Sequence, residues 1–216
     1  AGHYTESLAP AASGTAGQPI RIRARGRDRV VLEGGNRLAA GLDLTGRSHF
    51  EIEGLVFRDF KRSGIRLSRS DHIAVRDCRF FGGETSAELE RSEHVVFQHN
   101  LFSKPRTVAL QLAEMGRTWV HFNAFHPGQA TVLSLDARSV REVEIDRNDF
   151  AAGAKTAWQI AGQTFPDLAA WQKASALDRQ SRVVPLVWRE QGAEVAAVLA
   201  AGSPQIGRGF PGRSIG

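Results

Sequence analysis

Five polar residues recur at a spacing of 22 or 23 residues, each directly before a leucine. They are Asp43, Arg66, Glu88, Gln111 and Ser134. The first three are our candidate catalytic residues, because a cation between two carboxylates is suited to acid–base chemistry. Proton abstraction next to a carboxylate needs a base and a positive group that neutralises the developing charge. The alternative is a row of surface ion pairs, which contribute little to stability.

Basic residues flank this row on both sides. The loop after the row carries an arginine in every repeat: Arg47, Arg69, Arg91, Arg117 and Arg138. The loop before it carries Lys61, Arg62, Lys104, Arg106, His126 and Lys155. Guanidinium groups bind carboxylates and sulfates in a bidentate manner. Together with Gln111, these cations predict a binding groove for an anionic polymer, although outward positions on any soluble repeat protein are polar.

A row of histidines forms another candidate. His49, His72 and His94 each precede an apolar position by one residue. Stacked histidines are typical of metal sites. However, the next two repeats carry Arg117 and Glu142 at this position. The pattern therefore favours turn residues whose side chains bind neighbouring backbone, and we expect no metal site.

The element that positions these residues is indicated by a column of phenylalanines. Phe57, Phe80, Phe102, Phe125 and Phe150 are separated by 23, 22, 23 and 25 residues. Further apolar columns keep the same register, including Leu44, Leu67, Leu89, Leu112 and Leu135. A fixed period of this length predicts stacked repeats, with the phenylalanines as an interior stack.

Within each repeat the apolar residues alternate with a period of two, as in 64–67 and 73–76, which is typical of strands. A leucine-rich repeat would require a tight leucine motif and a helical segment, and both are missing. Two residues before the phenylalanine stand Asn100, Asn123 and Asn148. Buried amides need partners, so this column predicts a ladder between coils. A parallel β-helix fits all these features.

Several segments resemble one family in particular. They are Gly2–Glu6, Ser13–Ala24 and Val30–Gly34 at the start, and Trp171, Asp178, Ser181, Pro185 and Gly202–Pro204 at the end. They are similar to the right-handed parallel β-helix proteins of the pectate-lyase-like superfamily, which includes polysaccharide lyases and epimerases. The resemblance implies an all-β fold, a single-stranded right-handed parallel β-helix (solenoid) with about 22–25 residues per coil.

The resemblance also implies how the groove would work. Substrate would lie along the first of three sheets, Arg66 would act as the base, and Ca²⁺ would neutralise the uronate. The superfamily also contains non-catalytic surface proteins. Ca²⁺ needs six to eight oxygen ligands. Asp43 and Glu88 are two coils apart, so a calcium site would require a ligand from a loop.

We expect a single domain over residues 1–216: first coils at 1–40, regular repeats at 41–160, and a C-terminal coil and cap at 161–216. The cap would include a short helix that begins near Thr164 or Pro166 and ends at Lys173. No covering helix is expected before the first coil. That coil is therefore expected to be exposed, capped by another chain, or trimmed from a longer precursor, and end-to-end self-association is a further expectation.

The amino-acid composition limits the classes of binding partner that we expect. The chain has 24 Arg and 4 Lys, with a net charge of +5. No nucleic-acid motif accompanies this charge, so an anionic polysaccharide is the expected partner rather than nucleic acid. No apolar run is long enough for a membrane span. The lone cysteine, Cys78, excludes an internal disulfide and is expected to be a buried apolar residue.

The sequence thus predicts a secreted or cell-surface protein that binds an anionic, uronate-containing polysaccharide. Whether it also cleaves that polymer by β-elimination is left open. The alternative is a non-catalytic structural or filament-forming β-solenoid that associates end to end.

Overall fold

The computed structural model describes residues 2–25, 29–152 and 157–185, and the backbone of 188–191 and 194–199. Its strands form three parallel sheets, and the chain visits each sheet once per coil. The predicted all-β parallel solenoid is confirmed. None of the described helices is long and apolar enough to cross a membrane. The Gly202–Pro204 segment lies outside the described residues.

The strands are grouped by sheet. The first sheet contains β4 (Ala40–Asp43), β7 (Ser63–Ser68), β10 (Thr85–Glu90), β13 (Val108–Ala113), β16 (Thr131–Leu135), β19 (Ala157–Ile160) and an antiparallel β20 (Gln163–Phe165). The second contains β2 (Ile20–Arg23), β5 (Ser48–Glu53), β8 (Asp71–Arg76), β11 (Glu93–Gln98), β14 (Thr118–His121) and β17 (Val143–Asp146).

The third sheet contains β1 (Gly2–Tyr4), β3 (Val30–Glu33), β6 (Leu55–Arg58), β9 (Arg79–Phe81), β12 (Leu101–Ser103), β15 (Ala124–His126), β18 (Asp149–Ala151) and β21 (Arg182–Val184). A separate antiparallel pair is formed by β22 (Trp188–Gln191) and β23 (Glu194–Leu199). The two described helices are α1 (Ser139–Glu142) and α2 (Leu168–Ser175).

The predicted phenylalanine stack fills the interior against the third sheet. Its four successive ring pairs have centroid separations of 5.1, 5.0, 4.7 and 5.3 Å, and the first three pairs are nearly parallel. Each ring is buried. Such pairs add about 0.5–1.5 kcal/mol beyond the area that they bury. A Cβ at Gly64 would lie 2.8 Å from the ring of Phe80, so the first sheet approaches the stack closely.

The predicted asparagine ladder is also confirmed, at the bend between the second and third sheets. The side-chain oxygen of Asn123 accepts from the backbone N–H of Asn100 at 3.0 Å, and its amide donates to the carbonyl of Phe97 at 3.0 Å. Asn148 caps Asn123 in the same way at 2.9 Å. The side-chain oxygen of Asn100 accepts from the N–H of Cys78, which is fully buried as predicted.

The ladder ends on a buried carboxylate beneath the C-terminal helix. Asn148 donates to Asp178 at 3.1 Å, and Trp171 of α2 donates its indole N–H to Asp178 at 2.8 Å. Burial raises the pKa of Asp178, while the hydrogen bonds from Ser181, Asn148 and Trp171 act in the opposite direction. The predicted helix is present, but it begins at Leu168 because Asp167 is its N-cap and accepts from the N–H of Ala170.

The bends use left-handed backbone at residues other than glycine. Before the ladder position φ is 52° at Asp77, 57° at His99 and 57° at Phe122. At the bend between the first and second sheets, Arg69 and Arg91 have φ of 53° and 48°. This conformation is uncommon for side chains other than Asn, Asp and His. It turns the chain sharply, so residues on neighbouring sheets lie close to each bend.

Candidate functional site

The row of polar residues predicted from the sequence lies on the outer face of the first sheet. Asp43, Arg66, Glu88 and Gln111 are successive register partners on β4, β7, β10 and β13, and Ser134 follows on β16. All are partly exposed. We call this row the floor. Its geometry follows directly from the coil period, because parallel in-register strands align equivalent residues.

Arg66 and Asp43 form a weak pair on the floor. The closest guanidinium nitrogen lies 3.5 Å from the Asp43 carboxylate, and the two side chains are 29% and 34% exposed. Asp43 is held more firmly by Thr45, whose backbone N–H and hydroxyl donate to one carboxylate oxygen at 2.9 and 2.6 Å. Arg66 is therefore only lightly restrained by its neighbours.

Glu88 is bound by a different arginine. Arg62, in the loop before β7, donates to both oxygens of Glu88, through Nε at 2.7 Å and through Nη2. The hydrogen bond to Glu88 raises the pKa of Arg62, and the charges of Glu88, Glu84 and Glu90 add to this effect against partial desolvation. Both carboxylate oxygens of Glu88 are thus engaged by a cation.

The three candidate catalytic residues therefore belong to two separate pairs. Asp43 is near Arg66, whereas Glu88 is turned towards Arg62. Asp43 and Glu88 are also separated by the strand that carries Arg66. These residues do not fit a shared calcium ion, because its ligands must all lie within about 2.3–2.6 Å of the ion.

A cleft opens on the floor where it meets the loop before it. Its volume is about 470 Å³. The lining residues are Ala39, Lys61, Arg62, Glu84, Thr85, Glu88 and Gln111. Lys61, Arg62 and Gln111 were predicted from the sequence as binding residues, and the structure brings all three to one place. The lining residues come from four successive coils, as a site for an extended ligand requires.

The first rim is the bend between the first and second sheets. It carries the predicted residues Arg47, Arg69, Arg91 and Arg117. Arg47 donates to the carbonyl of Pro10 at 2.8 Å, and Arg91 contacts Glu90 at 2.7 Å and Glu114 at 3.3 Å. Arg69 and Arg117 are exposed, and no ion pair holds them among the residues that the structure describes.

The second rim is the bend between the third and first sheets, which carries Lys61, Arg62, Lys104 and Arg106. Arg106 donates to the side chain of Asn36 at 2.7 Å and to the carbonyl of Lys61 at 3.2 Å, so it links three coils. Lys61 is exposed, with no ion pair within the described part of the chain. Lys155 lies outside the described residues.

The acidic residues on both rims were not predicted from the sequence. Glu84 lines the cleft, and Glu90 and Glu114 neutralise Arg91. Thr85 was also missed as a lining residue. Periodicity gave no signal for them, because they form no column: Glu90, for example, pairs in register with Ser68 and Ala113. The arginine columns alone therefore suggested more net positive charge than the groove has.

Comparison with known proteins identifies the fold. Residues 27–165 match the family model described as "Right handed beta helix region". The chain belongs to the right-handed β-helix family. This β-helix is also similar to the crystal structure of an alginate lyase from Paenibacillus sp. str. FPU-7, with a TM-score of 0.54 and 16% sequence identity. The similarity covers 70% of this chain and 67% of that chain and concerns the fold alone. No curated protein matches the sequence.

Proposed function

We propose that this β-helix protein binds an anionic, uronate-containing polysaccharide along the floor of the first sheet. The observation that carries the proposal is the cleft of about 470 Å³, in which Lys61, Arg62 and Gln111 converge. Lys61 supplies a cation, Arg62 a planar guanidinium and Gln111 an amide that can both donate and accept. These groups match the carboxylate and hydroxyl groups of a uronic acid.

The repeat of the solenoid favours a polymer over a small anion. Successive coils lie about 4.8 Å apart, so similar polar groups recur along the floor at that interval. A chain of linked sugars can engage several coils at once, and each further contact is effectively intramolecular. The fold shared with an alginate lyase, a protein that its name associates with a polyuronate, supports the same class of ligand. Such a ligand also implies a location outside the cell or on its surface.

Binding is tested by titrating the protein with pectate, alginate, dermatan and hyaluronan in a calorimeter at low ionic strength. Lys61→Ala/Arg62→Ala should weaken binding of the preferred polymer about tenfold, because each exposed charged contact is worth up to about 1 kcal/mol and a tenfold change corresponds to about 1.4 kcal/mol. Added salt should weaken it further. Arg21→Ala is the matched control, since Arg21 pairs with Glu51 at 2.6 Å on the second sheet. Equal affinity in the double variant and the control would refute the proposed groove.

Cleavage by β-elimination is a second candidate function. The observation in its favour is Arg66, a partly exposed cation on the floor whose 3.5 Å contact with Asp43 leaves it available to a ligand. The test is ultraviolet absorbance of an unsaturated uronate product during incubation with the same four polymers. Product that disappears in Arg66→Ala supports cleavage. Binding without product in the wild-type protein refutes it and favours the non-catalytic alternative.

A further inference from the structure

A row of three stacked histidines lies at the start of the second sheet, beyond the first rim. His49, His72 and His94 are the second residues of β5, β8 and β11. Their ring centroids are 4.7 and 4.6 Å apart. All three have left-handed backbone, with φ of 58°, 53° and 50°. The predicted turn conformation is therefore present, and the side-chain contacts described for His72 and His94 are to a carboxylate.

Asp71 joins two of these imidazoles. Its carboxylate oxygens lie 2.7 Å from Nδ1 of His72 and 2.9 Å from Nδ1 of His94. Partial burial raises the pKa of Asp71, but the hydrogen bonds from His94 and His72 outweigh it and bring the pKa below its usual value. One carboxylate and two ring nitrogens thus lie close together on a partly exposed surface.

We propose that Asp71, His72 and His94 form a binding site for a divalent transition-metal ion of the zinc class. Neutral imidazole and carboxylate are the ligands that Zn²⁺, Ni²⁺ and Co²⁺ share in proteins. The potential ligand atoms all lie within 4.8 Å of one another. In a tetrahedral site with bonds of about 2.0–2.1 Å, neighbouring ligand atoms are roughly 3.3 Å apart. The ion would replace the protons of the hydrogen bonds between Asp71 and the two imidazoles, after Asp71 and the rings had moved slightly apart.

The surroundings of this site carry charges of both signs. Glu93 is the register partner of Asp71 on β11, so a second acidic residue lies on the neighbouring strand, outside the group of close ligand atoms. Two arginines of the neighbouring rim are held elsewhere, Arg47 by the carbonyl of Pro10 and Arg91 by Glu90 and Glu114. His49 lies against His72, with ring centroids 4.7 Å apart, but it is outside the group of close ligand atoms, so the remaining coordination positions would be filled by water. The row of histidines ends at His94, because the next coil carries Arg117 at the equivalent position.

The left-handed backbone of the three histidines determines which side chains lie close enough to bind one ion. At φ near 50° each histidine departs from the regular strand, which brings its ring over the equivalent ring of the next coil. The ligands come from two adjacent coils that the sheet already holds in register. Metal binding therefore requires little ordering of the chain, which lowers the entropic cost of forming the site. This inference concerns a different surface from the cleft and does not depend on polysaccharide binding.

The experiment is calorimetric titration of the metal-free protein with ZnCl₂, supported by the visible absorption of bound Co²⁺. His72→Asn and His94→Asn are the test variants, because asparagine tolerates left-handed backbone and preserves the fold. His3→Gln is the matched control, an exposed histidine on β1. Each test variant should bind Zn²⁺ at least about tenfold more weakly, because a lost second-sphere partner alone already costs 10–100-fold.

The titrations distinguish a metal site from a purely structural role of Asp71. Saturable Zn²⁺ binding that is lost in both test variants and kept in His3→Gln supports the site. Circular dichroism of each variant shows whether it retains the wild-type fold. Absence of saturable binding, or equal binding by the test variants and the wild type, overturns the proposal and leaves Asp71 as a hydrogen-bond partner that stabilises the bend.

Discussion

Arg62 and Arg66 lie in the same coil and face the same groove, yet they have different partners. Arg62 is locked to Glu88, while Arg66 makes one contact of 3.5 Å with Asp43. A ligand carboxylate that binds Arg62 must compete with Glu88. In the proposed groove Glu88 would therefore be an internal competitor for the ligand, and the groove would be more selective than a row of free arginines.

This competition predicts an unusual gain of affinity. Glu88→Gln removes a negative charge and loosens the hold on Arg62, so the anionic polymer should bind about threefold more tightly, in keeping with the energy of an exposed ion pair. The measurement is the same calorimetric titration, with Glu144→Gln on the second sheet as the charge-matched control. Weaker binding in Glu88→Gln would show instead that Glu88 contacts the polymer directly.

Individual side-chain partners could not be predicted from the sequence. Alternation placed Glu88 and Arg66 next to each other in the floor, and the structure confirms this register. The choice of Arg62 as the partner of Glu88 depends on side-chain rotamers in the loop before β7, which periodicity does not determine. For the same reason Asp71 was not recognised beside the histidines, although it is the polar residue directly before His72.

At the scale of elements, the columns that point inward were predicted most accurately. The phenylalanine stack and the asparagine ladder both require the same residue type in each coil, so they leave a repeated signal. The left-handed bends were harder, because His, Arg, Asp, Glu and Phe all occupy them. Short elements without a repeat, such as α1 and the antiparallel strand β20, were not predicted at all.

The ladder predicts a large loss of stability from one substitution. Asn123→Ala leaves the N–H of Asn100 and the carbonyl of Phe97 without their side-chain partner in a buried bend. Each unsatisfied buried group costs about 1–3 kcal/mol, so the free energy of unfolding should fall by about 3 kcal/mol or more. Urea denaturation measures the change. Gln129→Ala, in an exposed turn, should be nearly neutral, and a similar cost for both variants would contradict the role of the ladder.

At the scale of the whole molecule, the C-terminal end of the described solenoid is covered. Strand β20 turns back antiparallel along β19, and α2 buries Trp171 against the core. Such covers block strand edges from pairing with another chain. End-to-end self-association stays a prediction, and at this end of the first sheet it would have to displace β20.

The whole molecule should also lose stability in mild acid. Burial lowers the pKa of His99 and His126, with the charge of Lys104 adding to the effect at His126. The unfolded chain therefore takes up protons below about pH 6.5 that the folded chain does not, so stability falls as the pH decreases. The urea midpoint should be lower at pH 5.5 than at pH 7.5. His99→Asn/His126→Gln should flatten this dependence, whereas His3→Gln should not; an unchanged slope in the double variant would contradict the assignment.

The asparagine ladder, finally, suggests an order in which the coils of this protein are completed during folding. The side chain of each rung completes the bend of the coil before it, so Asn123 serves Asn100, and Asn148 serves Asn123. A chain synthesised from its N-terminus therefore always exposes one unfinished bend at its growing end. The same dependence recurs from coil to coil until the Ser181 hydroxyl accepts from the backbone N–H of Asn148 at 2.8 Å and Asp178 accepts from its side-chain amide at 3.1 Å. We therefore expect the segment that follows the C-terminal helix, with Asp178 and Ser181, to complete the last bend of the ladder.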